Sequence, residues 1–211
     1  MLKAVVISDT HSRHTELDLV QDSDIRMIIH CGDFSDNEDE ALEFINWYGA
    51  LDYQYKILIA GNHDLFVEES VIGFKNLCKE NDIIFLHDES IEIEGVKIYA
   101  TPFNNEMEGQ AFYKDRYEIQ KLWDKIPDDT ELLITHIPQY MVLDTVDEFD
   151  AGCDLLKKRI EELKSLKYHF FGHIHQSYGV HKSNHLTSFN ASSCNHYQEE
   201  LNKPEVFTLW G

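Results

Sequence analysis

The sequence predicts a layered α/β domain. Three observations carry this. Short apolar runs alternate with amphipathic helical runs along most of the chain, nearly every apolar run stops at a Gly, Asp or His turn, and the stretch from Ser177 to Trp210 alternates like short antiparallel strands. The β-rich tail calls for a mixed sheet, or for a second sheet packed on the first. No Pro/Gly/Ser linker, internal repeat or low-complexity tract interrupts the 211 residues, so residues 1–211 read as one domain.

The elements follow in order. Ala4–Ser8 is an apolar run that stops at Asp9, and Arg26–His30 is a second, stopped by Gly32-Asp33. Glu38 to Gly49 has helical spacing, with Ala41, Leu42, Ile45 and Tyr48 on one face; Ser35-x-x-Glu38 reads as its capping box and Gly49 as its stop. Lys56–Ala60 is a third strand, ended by Gly61-Asn62. Val71 to Lys79 is a second helix. Ile91–Ile93 and Lys97–Ala100 flank Glu94-Gly95 as a hairpin. Arg116–Lys125 is helical, and Leu132–Thr135 is a strand ending at His136. Leu155, Leu156, Ile160 and Leu163 define an amphipathic helix, and Tyr168–Phe171 is the strand after it. The long polar stretches 101–117 and 137–152 are of a length that often serves function.

Charge and cysteines narrow the class. Lys and Arg number 18 against 39 Asp and Glu, a formal net charge of −21. A chain this acidic repels polyanions, which argues against a long nucleic acid or an anionic membrane as partner. The start Met1-Leu2-Lys3-Ala4-Val5 runs directly into a strand pattern without a secretory h-region, and no run reaches the length of a membrane span. Cys31, Cys78, Cys153 and Cys194 lie far apart with no C-x-x-C, the usage of reduced thiols in a cytoplasmic protein.

The chemistry sits where the strands end. Asp9-Thr10-His11, Gly32-Asp33, Gly61-Asn62-His63-Asp64, Thr135-His136 and Gly172-His173-Ile174-His175 each follow an apolar run. Taken singly, most have an ordinary reading: Asp-x-His, Gly-Asp and Gly-Asn are common turns, and a lone histidine is usually a satisfied core or loop residue. Two histidines two apart at a strand end suit a transition metal better. Jointly, five sets of nitrogen and oxygen ligands delivered to strand carboxyl ends converge on one crevice, and such ligands suit Mn, Fe, Zn, Co or Ni rather than thiolate-seeking ions.

The ordered set D-x-H, G-D, G-N-H-[DE], H and G-H-x-H, spanning Asp9 to His175, resembles the calcineurin-like metallophosphoesterase superfamily. The longer words Ile7-Ser8-Asp9-Thr10-His11-Ser12-Arg13, Ala60-Gly61-Asn62-His63 and Asn190-Ala191-Ser192-Ser193-Cys194 resemble its metallophosphoesterase-domain-containing members, related to class III cyclic nucleotide phosphodiesterases. Some of those members carry Gly where His173 stands and lose activity; this sequence keeps the histidine. It departs in Thr135-His136-Ile137-Pro138, where T-H-G-P-P is usual, and in Thr101-Pro102-Phe103, where an A-P-W region is usual. Both departures bear on substrate specificity.

The resemblance implies a four-layer αββα sandwich with two mixed sheets. It implies two divalent cations, manganese foremost: one on Asp9, His11, Asp33 and His175, the other on Asp33, Asn62, His136 and His173, with Asp33 shared. A hydroxide bridging the two would attack the phosphorus of a small phosphodiester, a cyclic nucleotide among the options, and His63 would protonate the leaving group, with Asp64 favouring its protonated form. The rival activity is a phosphomonoesterase, including a protein Ser/Thr phosphatase; a non-catalytic scaffold is the third reading. Arg13 and His14, and with less weight Asn190 and His196, are candidate substrate contacts. His30 is either a second-layer donor to the site or a core histidine. The acidic run Asp144–Asp150 reads as a solvated loop, and the aromatics between Phe103 and Tyr117 read as packing rather than a pocket cap.

Overall fold

The computed structural model describes residues 1–20, 22–105, 108–195 and 200–210. In chain order its strands are β1 (Leu2–Ile7), β2 (Ile25–His30), β3 (Tyr55–Leu58), β4 (Ile84–Phe85), β5 (Glu89–Ile93), β6 (Val96–Thr101), β7 (Leu132–Thr135), β8 (Thr145–Val146), β9 (Phe149–Asp150), β10 (Tyr168–Phe171), β11 (Gly179–Lys182), β12 (Thr187–Asn190) and β13 (Glu205–Trp210). The helices are α1 (Glu38–Ala50), α2 (Leu65–Glu69), α3 (Val71–Glu80), α4 (Arg116–Trp123) and α5 (Asp154–Glu162).

The strands form two mixed sheets and one small hairpin. The first sheet has the order β13-β1-β2-β3-β4, parallel except for β13. The second has the order β11-β12-β10-β7-β6-β5, with a parallel centre and antiparallel edges β11 and β5. The tail is thus divided: β11 and β12 join the second sheet, while β13 crosses to the edge of the first.

Side-chain alternation along each strand explains the layering. Ala4, Val6, Met27, Ile29, Ile57 and Ile59 of the first sheet share one apolar cluster with Ile98, Ala100, Leu132, Ile134, Phe170 and Phe189 of the second. The intervening residues Val5, Ile7, Ile28, Leu58, Tyr99 and Leu133 belong to a different cluster, which holds the apolar faces of the helices. Each central strand is therefore buried on both faces, which is why these strands read as continuous apolar runs. The result is the expected αββα order.

Local signals differ from expectation in places. The buried stripe of α1 is Ala41, Phe44, Ile45 and Tyr48, at positions i, i+3, i+4 and i+7, while Leu42 faces outward. Asn37, not Ser35, caps α1 by accepting from the Glu40 N–H, because the Ser35 hydroxyl is turned to Asp64. The helix also continues one residue past Gly49. The acidic run is not simply a solvated loop: it forms the β8–β9 hairpin, and Asp144 is buried, accepting from the N–H groups of Met141 and Gly152. Phe103 and Phe112 are buried, as packing residues are.

Candidate metal centre

Five parallel strands deliver the predicted ligands to one crevice between the sheets. Strands β1, β2 and β3 lead into Asp9 and His11, Asp33, and Asn62 and His63; β7 and β10 lead into His136, and His173 and His175. The two sheets are stitched at this end. Ser193 N–H donates to Ser8 O, and the His136 Nδ1–H to the Cys31 carbonyl at 2.9 Å.

The predicted ligands form two trios of candidate ligand atoms, and a third group joins His11 to Asp36 and His63 at the mouth. The side chains of Asp9, His11 and His175 converge in one, and those of Asp33, His136 and His173 in the other. In the first, His175 Nε2 lies 3.4 Å from Asp9 Oδ1 and 3.3 Å from His11 Nε2. In the second, His136 Nε2 lies 3.2 Å from Asp33 Oδ2, 2.8 Å from Asn62 Oδ1 and 3.2 Å from His173 Nδ1. Asp33 stands between the trios, its Oδ2 also 4.0 Å from His11 Nε2.

The donor chemistry fits cations. His136 gives its Nδ1–H to a carbonyl, so its Nε2 faces two acceptor oxygens, a place filled by a cation or, without one, by a proton. Acceptors crowded at such distances repel unless a positive charge sits among them. Burial alone would lower the His136 imidazole, but the Asp33 carboxylate overrides it and raises it to about 10. Burial likewise opposes, and the neighbouring imidazoles outweigh it, so that Asp9 is held well below the usual carboxylate range.

Backbone geometry shows what this arrangement costs. Asp9, His11, Asp33 and His173 all take positive φ, of 50°, 39°, 58° and 70°, a region non-glycine residues rarely occupy and one that clusters at functional sites. Two glycines make room for the carboxylates. A Cβ on Gly172 would lie 2.0 Å from Asp9 Oδ2, and one on Gly61 would lie 2.2 Å from Asp33 Oδ1. Asp9 itself is pinned by the His173 N–H and by the Ser192 hydroxyl, which donates to Oδ2 at 3.0 Å.

His63, the candidate proton donor, has a different neighbouring carboxylate from the one expected. His63 is half-exposed at the mouth, and its Nδ1 lies 3.2 Å from Asp36 Oδ1. Asp64 is fully buried and faces away, accepting from the N–H groups of Gly61, Asp33, Phe34 and Ser35 and from the Ser35 hydroxyl. Burial and the nearby Asp33 charge push its carboxyl up to about 8 against those donors. Asp64 therefore braces the loops that carry Asp33 and Asn62 and does not orient His63. The signal for Asp36 in the sequence was only its position three residues after Asp33 in the same turn.

The expected substrate contacts are placed elsewhere. Arg13 is forked onto Glu16, at 3.0 and 2.7 Å, and does not line the cleft. His14 is buried edge-on against Phe44 and beside Trp47. Asn190 is buried, with its amide donating to the carbonyls of Leu143 and Ile174 and its oxygen accepting from Ser192 N–H. It fixes the Gly172–His175 loop from behind. His196 lies outside the described residues. His30 and His169 are matching buried props: His30 lies between Thr10 Oγ1 and Gly32 N–H, His169 between Thr135 Oγ1 and the Gln139 amide. Burial lowers both to about 3, so both are neutral.

The cleft over the trios has a volume of about 260 Å³, and its lining adds Gln110, Val146 and Gln176, along with Ile174 of the His173–His175 turn, to the predicted residues. Nothing in their local sequence marked the first three. Gln110 arrives on the 101–115 loop, whose Ala111 N–H is bonded to Asn62 O.

Comparison with known proteins agrees with this geometry. A family model described as calcineurin-like phosphoesterase matches residues 2–177. A UPF0046 protein of Caenorhabditis elegans is 32% identical over 230 residues, covering 99% of this chain and 81% of its own. Metallophosphoesterase domain-containing protein 1 of Homo sapiens is 32% identical over 231 residues, covering 97% of this chain and 70% of its own. A crystal structure with 12% sequence identity superposes with a TM-score of 0.71, covering 99% of both chains, a likeness of fold. The family implies divalent metal ions, and the two trios are candidate groups to hold them. The chain belongs to the calcineurin-like phosphoesterase family and, within it, to the metallophosphoesterase domain-containing and UPF0046 relatives.

Proposed function

We propose that this chain is a phosphodiesterase for small diesters, cyclic nucleotides among them, working with two divalent cations, manganese foremost and Fe, Zn, Co or Ni as alternatives. The observation that carries the reading is the position of Asp33 Oδ2 between the two ligand trios, 3.2 Å from His136 Nε2 and 4.0 Å from His11 Nε2. Asp9, His11 and His175 would hold one cation, Asn62, His136 and His173 the other, and Asp33 both. Bound there, the cations would supply an acidified water and neutralise charge on the phosphoryl oxygens.

The chain's own residues do the rest. His63 gives a proton to the departing oxygen, and Asp36 holds the imidazole toward the cleft. The His173 N–H and Ser192 hydroxyl keep Asp9 from swinging away. The loops around the cleft hold one small ester. Among the described residues its lining contains no Lys or Arg, which favours a diester monoanion over a monoester dianion. The net charge of −21 disfavours a long polyanionic strand. Four buried, unpaired cysteines support a cytoplasmic setting. Separately, no helix among the described residues is long and apolar enough to cross a membrane.

The test is a paired assay with Mn²⁺ on bis(p-nitrophenyl) phosphate and p-nitrophenyl phosphate. A higher kcat/KM on the diester is expected. A preference for the monoester would reassign the chain to the phosphomonoesterase reading.

A further inference from the structure

The β8–β9 hairpin overhangs one side of the cleft, and its register fixes which side chains face in. Val146 pairs directly with Phe149, and Thr145 with Asp150. Residues directly opposite in an antiparallel pair share a face. Val146 lines the cleft together with His11, His63 and His175, and Phe149 shares Val146's face of the hairpin, just outside the residues that line the cleft itself. The other pair is on the reverse face, where the Thr145 hydroxyl reaches Asp150. Phe149 is 76% exposed and belongs to neither apolar cluster.

The hairpin is fixed relative to the ligands rather than loose. Gln176, the residue after His175, accepts from Asp147 N–H at 2.7 Å and donates back to the Asp147 carboxylate. Ser177 donates to Thr145 O at 2.8 Å. Asn190 ties Leu143, just before the hairpin, to Ile174 between the two histidines. An exposed aromatic side chain is thereby carried on an anchored hairpin beside a cleft lined mainly by imidazole, carboxylate and amide groups, with Val146 and Ile174 its apolar members.

We propose that this hairpin receives the non-phosphoryl part of the ester, with Phe149 stacking on a flat aromatic or heteroaromatic group and Val146 contacting its edge. The inference rests on the phosphoester reading above. Stacking on an aromatic side chain tolerates any planar ring, so it selects a class of ester rather than one compound.

The test is calorimetric binding of phenylphosphonate and methylphosphonate to the Mn²⁺-loaded full chain. These ligands share the phosphoryl group and differ only in the ring. Wild type is expected to favour phenylphosphonate by about fivefold or more. Phe149→Ala should reduce that preference to within about twofold while methylphosphonate affinity stays unchanged, and Phe149→Trp should keep it, on the scale of one stacking contact. A preference that persists in Phe149→Ala, or is absent from wild type, overturns the hairpin's role. Binding of neither ligand by wild type overturns this inference, and the additional absence of Mn²⁺-dependent hydrolysis of bis(p-nitrophenyl) phosphate overturns the phosphoester reading itself.

Discussion

His63 faces Asp36 across 3.2 Å, while its chain neighbour Asp64 points into the protein and accepts five hydrogen bonds from loop donors. Two carboxylates near one histidine thus sit in different places, Asp36 against the imidazole and Asp64 in the loops that carry Asp33 and Asn62.

For His63→Ala, kcat on an alkyl phosphodiester is expected to fall by about 10²–10⁴, the usual contribution of a general acid. On bis(p-nitrophenyl) phosphate, whose leaving group needs no proton, the loss should be far smaller. Asp36→Asn should lower kcat on the alkyl ester by about 10–100-fold with KM unchanged, as when a carboxylate that orients a histidine is removed. Equal losses on both esters would show that neither residue acts on the leaving group.

Asp64→Ala should destabilise the fold rather than selectively slow the reaction. It strands several buried N–H groups, each costing about 1–3 kcal/mol, so a loss above about 3 kcal/mol is expected in urea denaturation. A loss below about 1 kcal/mol would remove Asp64 from its bracing role.

Gly172→Ala should weaken cation binding with the fold retained. The added methyl would fall 2.0 Å from Asp9 Oδ2, forcing that carboxylate out of the first trio. Mn²⁺ calorimetry should show affinity reduced by about 10–100-fold, the scale of disturbing the groups that orient a ligand. Unchanged affinity would mean that Asp9 is not held as described.

His169 gives a pH signature in stability. Burial lowers its folded value to about 3, against about 6.5 when unfolded. Between those values the unfolded chain binds the extra proton, so stability falls as pH drops from about 6.5 toward 3. From pH 7 to 5 this residue contributes a loss of about 2 kcal/mol, at about 1.4 kcal/mol per unit. His169→Gln should lose that much less stability than wild type over the same range in urea melts. Parallel curves would place the His169 proton elsewhere.

Much of this was legible in the sequence because strand ends and ligands coincide. Asp9, His11, Asp33, Asn62, His136, His173 and His175 are each attached to an apolar run, and parallel strands bring their ends together whatever the loops do. Alternation located the strands equally well. What the sequence hid depends on where side chains turn within loops. Asp36 and Asp64 are both carboxylates near His63 in the chain or in space, and only the left-handed turn at Asp33, with φ of 58°, sends one outward and leaves the other to cap the loop. Asn190 and His14 looked available for substrate because polar residues near motifs often are, yet one is consumed by loop carbonyls and the other by the aromatic core of α1. The hairpin at 145–150 was masked by its charges, since its strands are two residues long and its anchor, Gln176, is remote in sequence.

The central claim is that two cations bind at the crevice and that phosphoester hydrolysis depends on both. It is tested most directly by stripping the protein of metal, titrating it with Mn²⁺, and following bound metal per chain alongside hydrolysis of bis(p-nitrophenyl) phosphate. No turnover is expected in the stripped protein, and the rate should climb as the second equivalent binds. Full activity in the presence of a chelator, or saturation at zero bound metal, would contradict it.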